Sequence, residues 1–121
     1  MISLYGCGFV GRNFKEMYNA EVDVQERDER VPLHNDILYM ISTTHNYHVH
    51  DEITRDVDTN LRVLCETLDF CRSKDITFNF VSSWFVYGKG SSVPATELQV
   101  CNPTGFYSIT KKCAEDLIIS F

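Results

Sequence analysis

Short apolar runs alternate along this chain with stretches of helical periodicity. Ile2 to Tyr5 reads as a first strand, ended by Gly6. Val10, Phe14 and Met17 then share one face of a short helix. Glu21 to Gln25 alternates around Val22 and Val24 and predicts a second strand, followed by a charged connection, Arg27 to Arg30, closed by Pro32. From Asp36 to Ser42, the residues Ile37, Leu38, Met40 and Ile41 form a near-continuous apolar run. Such a run suits a strand covered on both faces of a parallel sheet. Leu61, Leu64, Cys65, Leu68 and Cys71 recur at helical spacing, which predicts a helix from Asp58 to about Lys74 with Asp58 or Thr59 as its cap. Ile76 to Ser82 returns to strand, and Gly88 to Asn102 reads as loop. Pro103 predicts the start of a last helix with Ile109, Cys113, Leu117, Ile118 and Phe121 on one apolar face. Strands alternating with helices predict an α/β fold with a parallel sheet.

Composition narrows the class. A length of 121 residues suits one domain, and 44% hydrophobic with 23% charged residues is ordinary for a globular protein. The charge, 11 − 17 = −6, argues against a basic face for nucleic acid or anionic lipid. No apolar run approaches the length of a membrane span, and the amino terminus meets glycines where a signal peptide has its apolar core. Five cysteines form an odd, scattered set without C-x-x-C, the pattern of free thiols in a reducing compartment. A cytoplasmic chain without a membrane or nucleic-acid partner is expected.

The first chemical motif is Gly6-Cys7-Gly8-Phe9-Val10-Gly11, a G-x-G-x-x-G between a predicted strand and a predicted helix. In that context Gly6 permits a tight turn, Gly8 lets a pyrophosphate approach the backbone, and Gly11 lets helix and strand pack closely. The helix amino terminus, at Phe9 and Val10, offers free N–H groups and a positive dipole end. A ribose-reading residue is expected about 20 residues on. That count reaches Glu26, suited to the hydroxyls of NAD, and Arg27, suited to the 2′-phosphate of NADP. NAD is the preferred reading. Two solvated charges at a strand end are the plain alternative.

The second motif is Tyr107-Ser108-Ile109-Thr110-Lys111, which sets a phenol and an ammonium one helical turn apart. A phenol is a poor base at neutral pH, and a neighbouring ammonium favours its ionised form. Upstream, Phe80-Val81-Ser82-Ser83 runs off a strand into Trp84-Phe85-Val86-Tyr87-Gly88, which puts a serine where parallel sheets bind ligands.

These motifs, with Pro94-Ala95-Thr96-Glu97, Pro103 and Asp58-Thr59-Asn60-Leu61, occur in the order of the extended short-chain dehydrogenase/reductases, the NAD-dependent epimerase/dehydratase family. The chain resembles the N-terminal, cofactor-binding part of that family throughout. The resemblance implies that the sheet is doubly wound, in three α/β/α layers. It also implies hydride transfer between the carbon of a nucleotide-activated sugar and NAD or NADP. Tyr107 would take the sugar hydroxyl proton, and Lys111 would hold the nicotinamide ribose. Ser83 would hydrogen-bond the reacting oxygen, Ser82 being the less favoured neighbour. Gly6, Gly8 and Gly11 would hold the pyrophosphate, with Ser42, Thr43 and Asn60 beside the cofactor. Val63 and Leu64 replace the family's Gly-Thr after Asn60, and Trp84 and Phe85 are bulky where small residues are common. Between Pro32 and Asp36 there is no room for a third strand, which implies a reduced adenine pocket.

The histidines His34, His45, His48 and His50, with Asp51, match no common zinc spacing, so no metal is expected. A non-catalytic dinucleotide-binding module, or an enzyme of this fold acting on another substrate, are the competing readings. The chain ends at Phe121, inside the helix bearing the catalytic pair. We therefore expect a shortened Rossmann domain over residues 1–121, without C-terminal strands or a substrate domain. A homodimer or a completing C-terminal chain would cover its open edge.

Overall fold

The computed structural model describes residues 1–44, 51–88 and 94–121. Its elements run β1 (Ile2–Tyr5), α1 (Phe9–Met17), β2 (Val22–Gln25), β3 (Asp36–Tyr39), α2 (Arg55–Val57), a π-helical turn (Asp58–Arg62), α3 (Val63–Cys71), β4 (Thr77–Phe80), a 3-10 turn (Trp84–Tyr87) and α4 (Phe106–Ser120). The chain divides into two compact units, residues 1–42 with 63–81, and residues 43–62 with 82–121.

The first unit holds the whole sheet. Its four strands are parallel in the order β2-β1-β3-β4, with Tyr5 paired to both Gln25 and Tyr39, and Tyr39 to Phe80. The chain therefore leaves β1 to one side and returns on the other, which makes the β1–β3 boundary a topological switch point. Leu4, Val22, Ile37, Tyr39 and Leu64 are fully buried. On one face the rings of Tyr5, Tyr39 and Phe78 stack in a row with centroids 5.7 and 5.5 Å apart. Burial raises the phenol pKa of both Tyr5 and Tyr39.

As expected, no third strand of the usual series intervenes, for residues 26–35 form no strand. That connection crosses β1 and is tied down on the way. Tyr5 Oη donates to the Arg30 carbonyl at 3.0 Å, and Arg30 Nε to Glu66 on α3 at 2.9 Å. The His34 N–H donates to Ser3 Oγ at 2.8 Å, and the His34 ring meets Asp23 at 2.7 Å.

Several elements differ from the expected pattern. The run in β3 alternates: Ile37 and Tyr39 are buried while Leu38 is half-exposed, so one face carries the core. The face of α1 expected to be apolar is open, with Val10 62% and Met17 73% exposed. The helix rests instead on Gly11, where a Cβ would stand 2.4 Å from the Gly6 carbonyl oxygen. In α3 the inner stripe is Leu64, Thr67, Leu68 and Cys71; Cys65 is exposed.

In the second unit, the helical run begins at Arg55, so neither Asp58 nor Thr59 caps it, and the Asp58 carboxylate accepts from Arg62 Nε at 3.0 Å. Pro103 does not start α4. Gly105, at φ +90°, is its cap, a backbone state that L side chains rarely adopt. The buried residues of α4 are Ser108, Thr110, Lys111 and Ala114, whereas Ile109 and Phe121 are more than half exposed. The expected apolar face of α4 is thus only partly covered, with Cys113, Leu117 and Ile118 half-buried, while the fully buried side is mostly polar.

All five cysteines are free, and burial raises the Cys71 thiol pKa. Among the described residues, no helix is long and apolar enough to cross a membrane.

Candidate active site

Of the candidate site residues, the second unit contains Thr43, Asn60, Ser83, Tyr107 and Lys111; the first contains Gly6, Gly8, Phe9, Val10, Gly11, Glu26, Arg27 and Ser42.

In the second unit a buried polar network sets the position of α4. Asn60, 2% exposed, accepts the Thr43 N–H on Oδ1 at 2.9 Å. Its Nδ2 donates to Thr43 Oγ1 at 3.2 Å and to Thr110 Oγ1 at 3.0 Å. Thr43 Oγ1 donates in turn to the buried Asp56 carboxylate at 2.6 Å, and Thr110 Oγ1 to the Tyr107 carbonyl at 2.9 Å. Thr110 sits in the turn between Tyr107 and Lys111, so Asn60 fixes the part of α4 that carries both. Asn60, expected beside a cofactor, is engaged here by protein groups. Asp56 and Thr110 were not singled out from the sequence, since nothing local marks a polar residue as buried. The π-helical turn containing Asn60 is a feature often found at functional positions.

Lys111 is 2% exposed, and burial lowers its pKa to about 8, a shift opposed by the Glu115 carboxylate one turn on. Tyr107 is half-buried, and its ring stands T-shaped to that of Phe85, centroids 6.1 Å apart at 86°. The two serines divide their work. Ser82 Oγ donates to Glu115 Oε1, whereas Ser83 Oγ accepts the Phe85 N–H at 3.3 Å and caps the 3-10 turn. The Ser83 hydroxyl proton is not used by that bond. Glu115 was a missed residue with a readable signal, its i+4 spacing from Lys111.

In the first unit the glycines have distinct surroundings. Gly6 has φ +94°, and a Cβ there would lie 2.7 Å from the Ile41 nitrogen and the Met40 carbonyl carbon. The turn is thus pressed against the exit of β3, at the switch point. A Cβ on Gly8, by contrast, would meet nothing within 4 Å. No side chain caps α1 and no acidic residue stands in its first turn, so none of its leading N–H groups is taken by a capping side chain. Phe9 is 84% exposed. Glu26 and Arg27 are exposed just past β2, at the same sheet end as Gly6.

His45, His48 and His50 lie outside the described residues, and described His34 pairs with Asp23.

A parallel sheet with a glycine turn at its switch point and a Tyr-x-x-x-Lys helix defines a Rossmann-like α/β protein. The model of the NAD dependent epimerase/dehydratase family matches residues 7–121, and the chain belongs to that family. Solved structures share the fold. RMD from Pseudomonas aeruginosa, complexed with NADPH, is 21% identical with a TM-score of 0.82, covering 98% of this chain and 47% of its own. UDP-glucose 4-epimerase from Brucella ovis, in complex with NAD, is 19% identical at TM-score 0.83, covering 98% and 46%. The UDP-glucose 4-epimerase of Thermotoga maritima, with UDP-glucose, is 18% identical at TM-score 0.81, covering 98% and 50%. This chain thus spans about half the length of these structures. A search of curated proteins found no match.

Proposed function

We propose that this chain carries the cofactor-binding and proton-transferring residues of an NAD(P)-dependent nucleotide-sugar epimerase or dehydratase. The observation that carries the reading is the family match together with the α4 geometry: a half-buried phenol and a desolvated lysine, one turn apart, on a helix held by buried hydrogen bonds. The residues of the first unit fit a dinucleotide. Gly8 leaves open space where a pyrophosphate would approach, the uncapped N–H groups of α1 would take its charge, and Glu26 would accept from ribose hydroxyls, with Arg27 beside it. Bound NAD(P) supplies the hydride acceptor.

Tyr107 removes the proton from the sugar hydroxyl whose carbon is oxidised, and returns it when the carbonyl is reduced. Ser83 donates its free hydroxyl proton to that oxygen and stabilises the charge that develops there. Lys111 orients ribose hydroxyls and supplies positive charge beside Tyr107; Asn60 and Thr110 hold both in place.

Tyr107→Phe in the full chain should leave NAD binding, measured by calorimetry, within about twofold while lowering turnover of a sugar nucleotide at least about a hundredfold. Unchanged turnover would sink the assignment. Dinucleotide binding without turnover of any sugar nucleotide would favour the non-catalytic module instead.

A further inference from the structure

The rings that follow Ser83 are held in place and yet left open. The 3-10 turn buries Val86 and leaves Trp84 50% and Phe85 54% exposed. Trp84 meets Tyr87 edge-on at 5.7 Å and 62°, and Phe85 meets Tyr107 at 6.1 Å and 86°. The Ser83 cap fixes the start of the turn. Two large rings are therefore ordered in advance of any ligand, next to the serine and the phenol assigned to the chemistry, and ordering in advance lowers the entropic cost of binding.

We propose that Trp84 and Phe85 form a stacking wall for the glycosyl ring of the substrate. This rests on the sugar-nucleotide reading above. The face of an aromatic ring is electron-rich, so it attracts the slightly positive C–H groups of a pyranose face. The hydroxyl edge of such a ring is then left for Ser83 and Tyr107. An apolar wall with a few polar groups to set orientation is the usual make-up of a small-molecule site. Phe85 has a second task, because its contact with Tyr107 restricts the ring that must meet the sugar hydroxyl.

Trp84 is the single tryptophan of the 121 residues, and the emission that Trp84→Phe removes reports on the wall directly. In the full chain, UDP-glucose should change Trp84 emission, while UDP, which lacks the glycosyl ring, should bind without doing so. Trp84→Ala should raise the Kd and KM for UDP-glucose about tenfold, with Kd for NAD and for UDP within about twofold and kcat little altered. Trp84→Phe, which keeps a ring, should recover most of that loss. If Trp84→Ala does not fold, Trp84→Phe and the emission of the unaltered chain still decide. UDP-glucose binding that leaves the emission unchanged, and that Trp84→Ala does not weaken, would overturn the wall alone. NAD binding without binding of any hexosyl nucleotide would overturn the sugar reading and the wall with it.

Discussion

In the unit that contains the sheet, the fully buried side chains are mostly Leu4, Val22, Ile37, Tyr39 and Leu64; in the other unit they include Asp56, Asn60 and Lys111. Among its described residues, the second unit has only Val86 and Ala114 as buried apolar groups. An apolar core is tolerant, because dispersion and water exclusion are non-directional. A polar core is stable only if each donor finds its acceptor, and losing one partner leaves another stranded. That intolerance is useful where two side chains must be held in one geometry, as Tyr107 and Lys111 are. The first unit is thus built for stability and the second for position.

Mutations can break this contrast in order of size. Tyr39→Ala removes a ring that touches Tyr5 and Phe78, and should cost about 3–5 kcal/mol in urea unfolding. A loss below about 1 kcal/mol would mean that the sheet unit is not held by its aromatic row. Lys111 gives the next effect, and its sign depends on pH. Its folded pKa is about 8 against an ordinary 10.5, so between those values the unfolded chain holds a proton that the folded one lacks. Lys111 should therefore add roughly 3 kcal/mol of stability between about pH 8 and pH 10.5, read against Lys111→Met at each pH. The difference is the measure because the raised pKa values of Cys71, Tyr5 and Tyr39 act in the opposite sense at the upper end. Asn60→Leu follows, at about 2 kcal/mol, since it strands the buried Thr43 N–H. An apolar replacement tolerated there would erase the distinction between the two units.

The contrast also explains what could be read from the chain. β1 was legible at its observed limits and β2 to within one residue, because alternating apolar positions reflect a local rule that the sheet enforces. The absent third strand followed from a simple count of residues before Asp36. The inner face of α4 was misread for the opposite reason. The buried Thr110 hydroxyl is paired with Asn60, 50 residues away in the chain, and no local pattern encodes that pairing. Tyr107, Lys111 and Ser83 are proposed from residue type and spacing, which chemistry constrains even where burial does not. Glu115 and Asp56, which act through other residues, leave a weaker trace.

Gln25 is an exception that sharpens the comparison most finely. It sits in the apolar unit at the end of β2, paired with Tyr5 and 4% exposed. Both its amide oxygen and its amide nitrogen lack a hydrogen-bond partner among the described residues. A buried amide without partners destabilises, whereas an apolar side chain of similar shape removes the group that needed satisfying. Gln25→Met should therefore stabilise the chain by about 1 kcal/mol, read as a higher urea midpoint at unchanged slope. Loss of stability would instead mean that ordered water satisfies the amide, since buried water bonds in this way to otherwise unpaired groups. In that case the apolar unit, too, would contain a polar contact it depends on.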